Sequence, residues 1–143
     1  MPVTFWCLAR TLDWSTLRLE PGSFVDEQLG GQCSDLLYTF RGPEIPLGLY
    51  CLFEHQSTVD PDMPFRLLRY MVRIWEQWRK KSGPPAPCPP IVSLVLHQGP
   101  ERWTVSTQFL DWLTLLESLR PVLEPLQPAF RHLLVDLSQC SMD

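Results

Sequence analysis

Two short apolar runs, "DLLYTF" (35–40) and "LGLYCLF" (47–53), have strand length and flank the polar, proline-containing "RGPEIP". They predict a β-hairpin with a loop of about six residues. If the turn is centred near Pro43 and Glu44, antiparallel pairing sets residue 35 opposite residues 52–54. Upstream, Leu17 and Leu19 alternate with polar neighbours in "TLRLE" (16–20), which predicts a short half-buried strand stopped by Pro21 and Gly22. "SFVDEQLGGQCS" (23–34) reads as loop. In "PDMPFRLLRYMVRIWEQWRKKSG" (61–83) the period changes to that of a helix. Leu67, Leu68, Met71, Ile74, Trp75 and Trp78 form an apolar stripe, and Arg66, Arg69, Arg73, Glu76 and Lys80 run beside it. Asp62 and Pro64 suit the start of this helix, and Lys80, Lys81 and Gly83 suit its end.

After the stiff connector "PPAPCPP" (84–90), "IVSLVLHQG" (91–99) predicts a buried strand that ends on His97 and Gln98. Ser106 or Thr107 is placed to cap a further helix, with Phe109, Trp112, Leu113, Leu116 and Leu119 on its buried face and Pro121 as its stop. "FRHLLVDL" (130–137) fits a last strand better than a short helix. There is no internal repeat. Three strands, a helix, a strand, a helix and a strand make an α/β layer fold with a mixed sheet and flanking helices.

The run "YCLF" stops on Glu54-His55-Gln56. Alternation along a strand puts Glu54 and Gln56 on one face and His55 on the other. The hairpin register then brings Asp35 to the same end as Glu54. Carboxylate and carboxamide oxygens at one place suit a hard cation such as Mg²⁺. Spacing alone also fits strands that simply surface there.

Length and composition narrow the picture. At 143 residues the chain fits one domain, 1–143, and with 45% hydrophobic and 20% charged residues it has the material for a core. Five cysteines without a CxxC spacing argue against a zinc site or disulfide framework and fit a reducing cytoplasm. No apolar stretch is long enough to span a membrane, and the N-terminus lacks the pattern of a signal peptide. The net charge of −4 argues against a uniformly basic nucleic-acid binder, yet six of the twelve Lys and Arg residues fall within 66–81. Arg66, Arg69 and Arg73 are therefore candidate phosphate contacts, with a solvated helix face as the competing reading.

"SFVDEQLGGQCSDLLYTF", "LYCLFEHQSTVDPDMPFRLLRYMVRIWEQW" and "PPIVSLVLHQGPERWT" resemble, in order and spacing, the recombination-promoting nuclease family, also called YhgA-like putative transposases. That family belongs to the PD-(D/E)XK nucleases. The resemblance implies a restriction-endonuclease-like core, DNA as substrate and Mg²⁺ as cofactor. It also assigns roles: Asp35 and Glu54 as metal-holding acids, and Gln56 at the position usually held by lysine. Glu27 and His97 are weaker candidates. His55, facing the other way, reads as a packed histidine. A homodimer is compatible with this reading.

Two departures bear on activity. A His-Asp-x-x-Phe-Lys type helical segment that opens family members is absent, so the domain is expected to be shortened at its N-terminus and to leave an apolar surface uncovered. Gln56 also lacks the charge of lysine. The alternatives to an active endonuclease are an inactive remnant that still binds nucleic acid or a protein partner, and a plain scaffold.

Overall fold

A computed structural model describes residues 3–20, 35–42, 45–83, 87–138 and 140, with 3–5, 35, 42, 45–50 and 52–55 given by backbone alone. Helix α1 (Val3–Thr11) leads to a 3-10 turn (Trp14–Thr16) and the two-residue strand β1 (Arg18–Leu19). Strands β2 (Asp35–Gly42) and β3 (Ile45–Gln56) are followed by helix α2 (Met63–Ser82) and strand β4 (Ile91–His97). A second 3-10 turn (Phe109–Trp112), the short helix α3 (Arg120–Leu123) and strand β5 (Leu133–Asp136) follow. The five strands form one sheet in the order β1-β2-β3-β4-β5. β1, β2 and β3 are antiparallel neighbours, whereas β3, β4 and β5 are parallel. The sheet is thus mixed, and the α2 crossover joins the parallel strands β3 and β4, as parallel neighbours require.

Each face of the sheet has an apolar patch with a helix over it. On one face Leu37 of β2 and Val95 of β4 pack against Leu67, Tyr70 and Ile74 of α2, with Met63 and Trp103 in the same cluster. The buried positions Met63, Leu67, Tyr70, Met71 and Ile74 recur at helical spacing, so the period seen in the sequence is the packing stripe itself. Tyr70, absent from the stripe expected above, belongs to it. Gly83 takes φ +74°, and its N–H donates to Arg79 O, closing the helix where the basic run and the glycine predicted. The proline connector is tied down rather than loose, since Trp75 Nε1 donates to Pro89 O and Trp78 Nε1 to Pro87 O.

The other face carries Tyr38, Phe40, Cys51, Val92, Leu94 and Leu133, roofed by Leu8 and Ala9 of α1 with Leu12, Trp14 and Leu17. Trp14 meets Phe40 edge-on, ring centroids 5.3 Å apart, and its Nε1 donates to Ala9 O. The roof leaves an apolar cavity of about 340 Å³. α1 was not legible in the sequence. It covers part of the apolar surface expected to be bare.

Three expectations need correction. The half-buried strand expected over 16–20 is only Arg18–Leu19, and both residues are exposed, because Thr16 closes the 3-10 turn. The hairpin strands run to Gly42 and from Ile45, leaving a two-residue connection instead of about six, with a register irregularity between Phe40 and Gly42. More substantially, no long helix follows Ser106. After the 3-10 turn at Phe109–Trp112 the chain is irregular up to α3, Leu116 and Leu119 are 64% and 46% exposed, and Pro121 opens a helix instead of ending one. Tertiary contacts compete with the helix here. Ser106 Oγ donates to Asp111 Oδ2 and accepts from Gln108 N, Phe109 stacks on Phe130, and Trp112 docks on α2.

Candidate nuclease site

The ladder places the sequence-predicted acids together. Asp35 is the direct Cα partner of Glu54 across β2 and β3, at one end of the 35 to 52–54 range expected from the turn. On its other side Glu54 pairs with Val95, and Gln56 pairs with His97. Asp35 and Leu37 are two residues apart on β2, and Leu37 and Val95 contact the α2 cluster. The Asp35, Glu54 and Gln56 positions therefore belong to the α2-covered side of the sheet. They lie at its open end, where β3 stops and the chain turns toward α2. Directly opposed positions on an antiparallel ladder have Cβ atoms about 4.5–5.5 Å apart, and like charges there are unfavourable. A divalent cation offsets that repulsion, so the donor set of two carboxylates and a carboxamide fits Mg²⁺. Among the described residues, no group of three or more His, Cys, Asp or Glu gathers to hold a metal.

Gln56 is held firmly. It is only 6% exposed, its carbonyl accepts from Gln98 N at 2.9 Å, and His97 Nδ1 lies 3.2 Å from the same oxygen. The second ring nitrogen of His97 lies 2.5 Å from Glu101 O. His97 is fully enclosed, so it fastens the end of β3 to the loop after β4 instead of presenting a free nitrogen to the site. Gly99 allows this closure, because a Cβ there would overlap the Ser57 carbonyl oxygen. Asp136, which pairs with His97 on the sheet, accepts from Trp103 N and Ser138 N, each at 2.9 Å. Desolvation pushes its carboxyl up, but those amide hydrogen bonds outweigh it and hold the group below the usual carboxylate range. Neither Asp136 nor Gly99 carried a signal beyond a strand end and a turn residue.

The three arginines differ in their surroundings. Arg66 Nη1 makes a 2.7 Å ion pair with Asp60, and its Nη2 donates to the Tyr70 hydroxyl at 3.3 Å. Arg69 stands 5.9 Å over the ring of Phe65. Arg73 is half-buried. None is a fully solvated chain, and Arg66 is already engaged with a carboxylate of the loop leading into α2. Glu27 lies outside the described residues, and of His55 only the backbone is described.

Comparison with known proteins places this geometry in context. The family described as "Putative transposase, YhgA-like" matches residues 6–143. The recombination-promoting nuclease RpnC of Escherichia coli K12 is 35% identical over 92 residues, covering 64% of this chain and 30% of RpnC. RpnA of the same strain is 34% identical over 89 residues, covering 62% of this chain and 30% of RpnA. RpnE, named as an inactive recombination-promoting nuclease-like protein, is 33% identical over 92 residues, 64% of this chain and 30% of its own length. The chain thus matches about a third of the length of these relatives. No solved structure matches it.

Proposed function

Since the chain belongs to the YhgA-like putative transposase family, we propose that it is the nuclease domain of a recombination-type DNA endonuclease that hydrolyses phosphodiester bonds with Mg²⁺. The observation that carries this reading is the direct pairing of Asp35 with Glu54, with Gln56 two residues further along β3. An acid on the second strand and an acid-x-polar pair on the third, in a mixed sheet with a helical crossover after the third strand, support a restriction-endonuclease-like core. Relatives named as recombination-promoting nucleases support the reaction class.

Asp35 and Glu54 are the residues that would hold the metal. Bound there, Mg²⁺ would supply Lewis-acid polarisation of a phosphate oxygen and compensation of the charge developing in the transition state. The protein's own groups do the rest. The rigid ladder keeps the two acids at a fixed spacing, which removes the entropic cost of assembling them at each turnover. Gln56 orients the attacking water through its carboxamide, which as a neutral group offers hydrogen bonds but no positive charge to the phosphate. Arg69 and Arg73, on the helix that starts where β3 ends, contact backbone phosphates.

The replacement of lysine by Gln56 and the relative named inactive favour a second reading, a domain that binds DNA without cutting it. Incubation of supercoiled plasmid with the purified chain, with and without Mg²⁺ and beside Asp35→Ala, separates the two. Metal-dependent nicking lost in the variant supports the endonuclease, and plasmid retained on a gel without nicking supports the binding domain.

A further inference from the structure

Helix α2 buries one stripe against the sheet, yet its outward strip is not simply polar. Phe65, Arg69 and Val72 follow one another at helical spacing, and Phe65 and Val72 are 40% and 42% exposed. Trp112 lies against Phe65 with ring centroids 5.0 Å apart and planes 5° from parallel, and it is itself 38% exposed. Two large aromatic rings half in water lose apolar burial, so an ordinary surface seldom arranges them as a pair. The pair is also held in place. Trp112 Nε1 donates to Asp62 Oδ1 at 3.2 Å, and Phe109 leans on the indole with centroids 5.9 Å apart. The result is a cluster of three rings, Phe109, Trp112 and Phe65, with the Arg69 guanidinium 5.9 Å from the centre of the phenyl ring.

One face of Phe65 is taken by Trp112. Among the described residues, the guanidinium of Arg69 stands 5.9 Å from the centre of the same ring, on a flexible side chain and with no carboxylate partner. A flat ring can stack on the exposed part of this Phe65–Trp112 pair with the guanidinium beside it, free to meet the phosphate of the same nucleotide. That is the environment in which a nucleobase is held without sequence preference. Charge points the same way, since Arg66, Arg69, Arg73, Arg79, Lys80 and Lys81 on α2 outnumber its single acid, Glu76. A polyanion carrying flat bases complements such a strip better than a second copy of a chain whose net charge is −4. Position agrees as well. Phe65 is in the first turn of α2, and α2 begins seven residues after Gln56, so platform and candidate acids share one end of the sheet.

We propose that Phe65, Trp112 and Arg69 form a stacking platform for an unpaired nucleobase, so that the DNA this domain engages carries a single-stranded segment beside the phosphate presented to Asp35 and Glu54. The proposal rests on the DNA reading above and narrows it. Bases inside an intact duplex are stacked on one another and cannot reach a protein ring, so the platform distinguishes unpaired from paired strands.

The test uses the full chain without Mg²⁺ and fluorescein-labelled twelve-nucleotide probes read by anisotropy: oligo(dT), the same strand with abasic residues, and a duplex. Oligo(dT) is expected to bind on the order of tenfold more tightly than the abasic strand of equal charge, in line with alanine substitutions of stacking residues. Phe65→Leu is expected to erase that difference while leaving the slope of affinity against salt unchanged. Arg69→Gln weakens binding and lowers the slope by about one phosphate contact. The wild-type comparison of the two strands needs no variant to fold, and thermal melts check that the variants do. Equal binding of oligo(dT) and the abasic strand, with the duplex still bound, overturns the platform and leaves the DNA reading intact. No binding of any probe overturns both. A dimer on size exclusion that Phe65→Leu dissociates, with DNA affinity unaltered, assigns the rings to an interface between copies and overturns the proposal.

Discussion

Asp35 stands directly across the β2–β3 ladder from Glu54, so two acidic residues share one rung of the sheet. Without a cation that rung is a liability, because opposed like charges on neighbouring strands destabilise the sheet. Asp35→Asn removes the repulsion and part of the metal's donor set in one step. The variant is expected to melt at or above the wild-type temperature without Mg²⁺ and to lose most of the stabilisation that millimolar Mg²⁺ gives wild type. Parallel melts of the two proteins in EDTA and in Mg²⁺ check this. A lower melting temperature for Asp35→Asn in EDTA would show that the rung is stabilised by contacts other than a metal.

The arginines are expected to separate in their effects. Arg66→Ala leaves Asp60 without its 2.7 Å partner and removes a donor to the Tyr70 hydroxyl, so it should lower stability, by about 1 kcal/mol for a partly exposed pair. Arg69→Ala and Arg73→Ala are expected to weaken DNA binding equally for all sequences and to reduce the salt slope by about 0.9 for each lost phosphate contact. Urea melts and binding at two salt concentrations distinguish the groups. An unchanged slope in the Arg69→Ala, Arg73→Ala double variant would assign both side chains to the fold.

Gly99 packs against the His97 ring and the Ser57 carbonyl, one residue beyond Gln56. Gly99→Ala forces a methyl group onto the Ser57 carbonyl, and backbone on both sides leaves little room to yield. A loss of about 2–3 kcal/mol is expected, within the range of severe single substitutions. Because Gln98 N donates to Gln56 O, the same displacement loosens the end of β3. Any Mg²⁺-dependent nicking should therefore fall further than the loss of folded protein accounts for, which a comparison at a temperature where the variant remains folded will read.

The elements with a strong period were legible in the sequence. The α2 stripe and the buried β4 strand each match a burial pattern that a single periodicity defines, the β2 and β3 runs form the strands expected of them, and the Asp35–Glu54 rung followed from turn position to within two residues. The failure at 106–119 has a definite cause. Phe109, Trp112, Leu116 and Leu119 recur at helical spacing, but Trp112 is drawn onto Phe65 and Asp62, fifty residues away for the latter, and Phe109 onto Phe130. Such contacts between distant segments leave no local trace, and they override intrinsic preference. α1 escaped notice because nine residues with a tryptophan and a cysteine offer little amphipathic contrast. The tie from His97 to two carbonyls was invisible for the same reason as the Trp112 contact: only the fold brings Gln56 and Glu101 to one ring.

His132 offers a test of the core that is independent of catalysis. Its ring is 1% exposed, neither nitrogen has a hydrogen-bond partner among the described residues, and desolvation pushes its pKa down from 6.5 to about 4. In the unfolded chain the imidazole regains its ordinary pKa. Between pH 6.5 and 4 the unfolded state therefore binds more protons than the native state, and stability rises with pH across that window. The contribution is complete above pH 6.5 and is lost progressively as pH falls toward 4, by about 3 kcal/mol from the size of the shift. Asp136 adds acid sensitivity at lower pH, because its carboxyl is held below the usual range and its share of stability disappears only when it is protonated. His132→Leu replaces the buried ring with an apolar side chain that does not titrate. It is expected to flatten the pH dependence between 6.5 and 4 while retaining acid unfolding further down, and to be at least as stable as wild type at pH 7, since two unpartnered nitrogens leave the interior. Urea midpoints for both proteins from pH 4 to 7.5 give the comparison, and parallel curves would mean that the wild-type ring is not held neutral by burial.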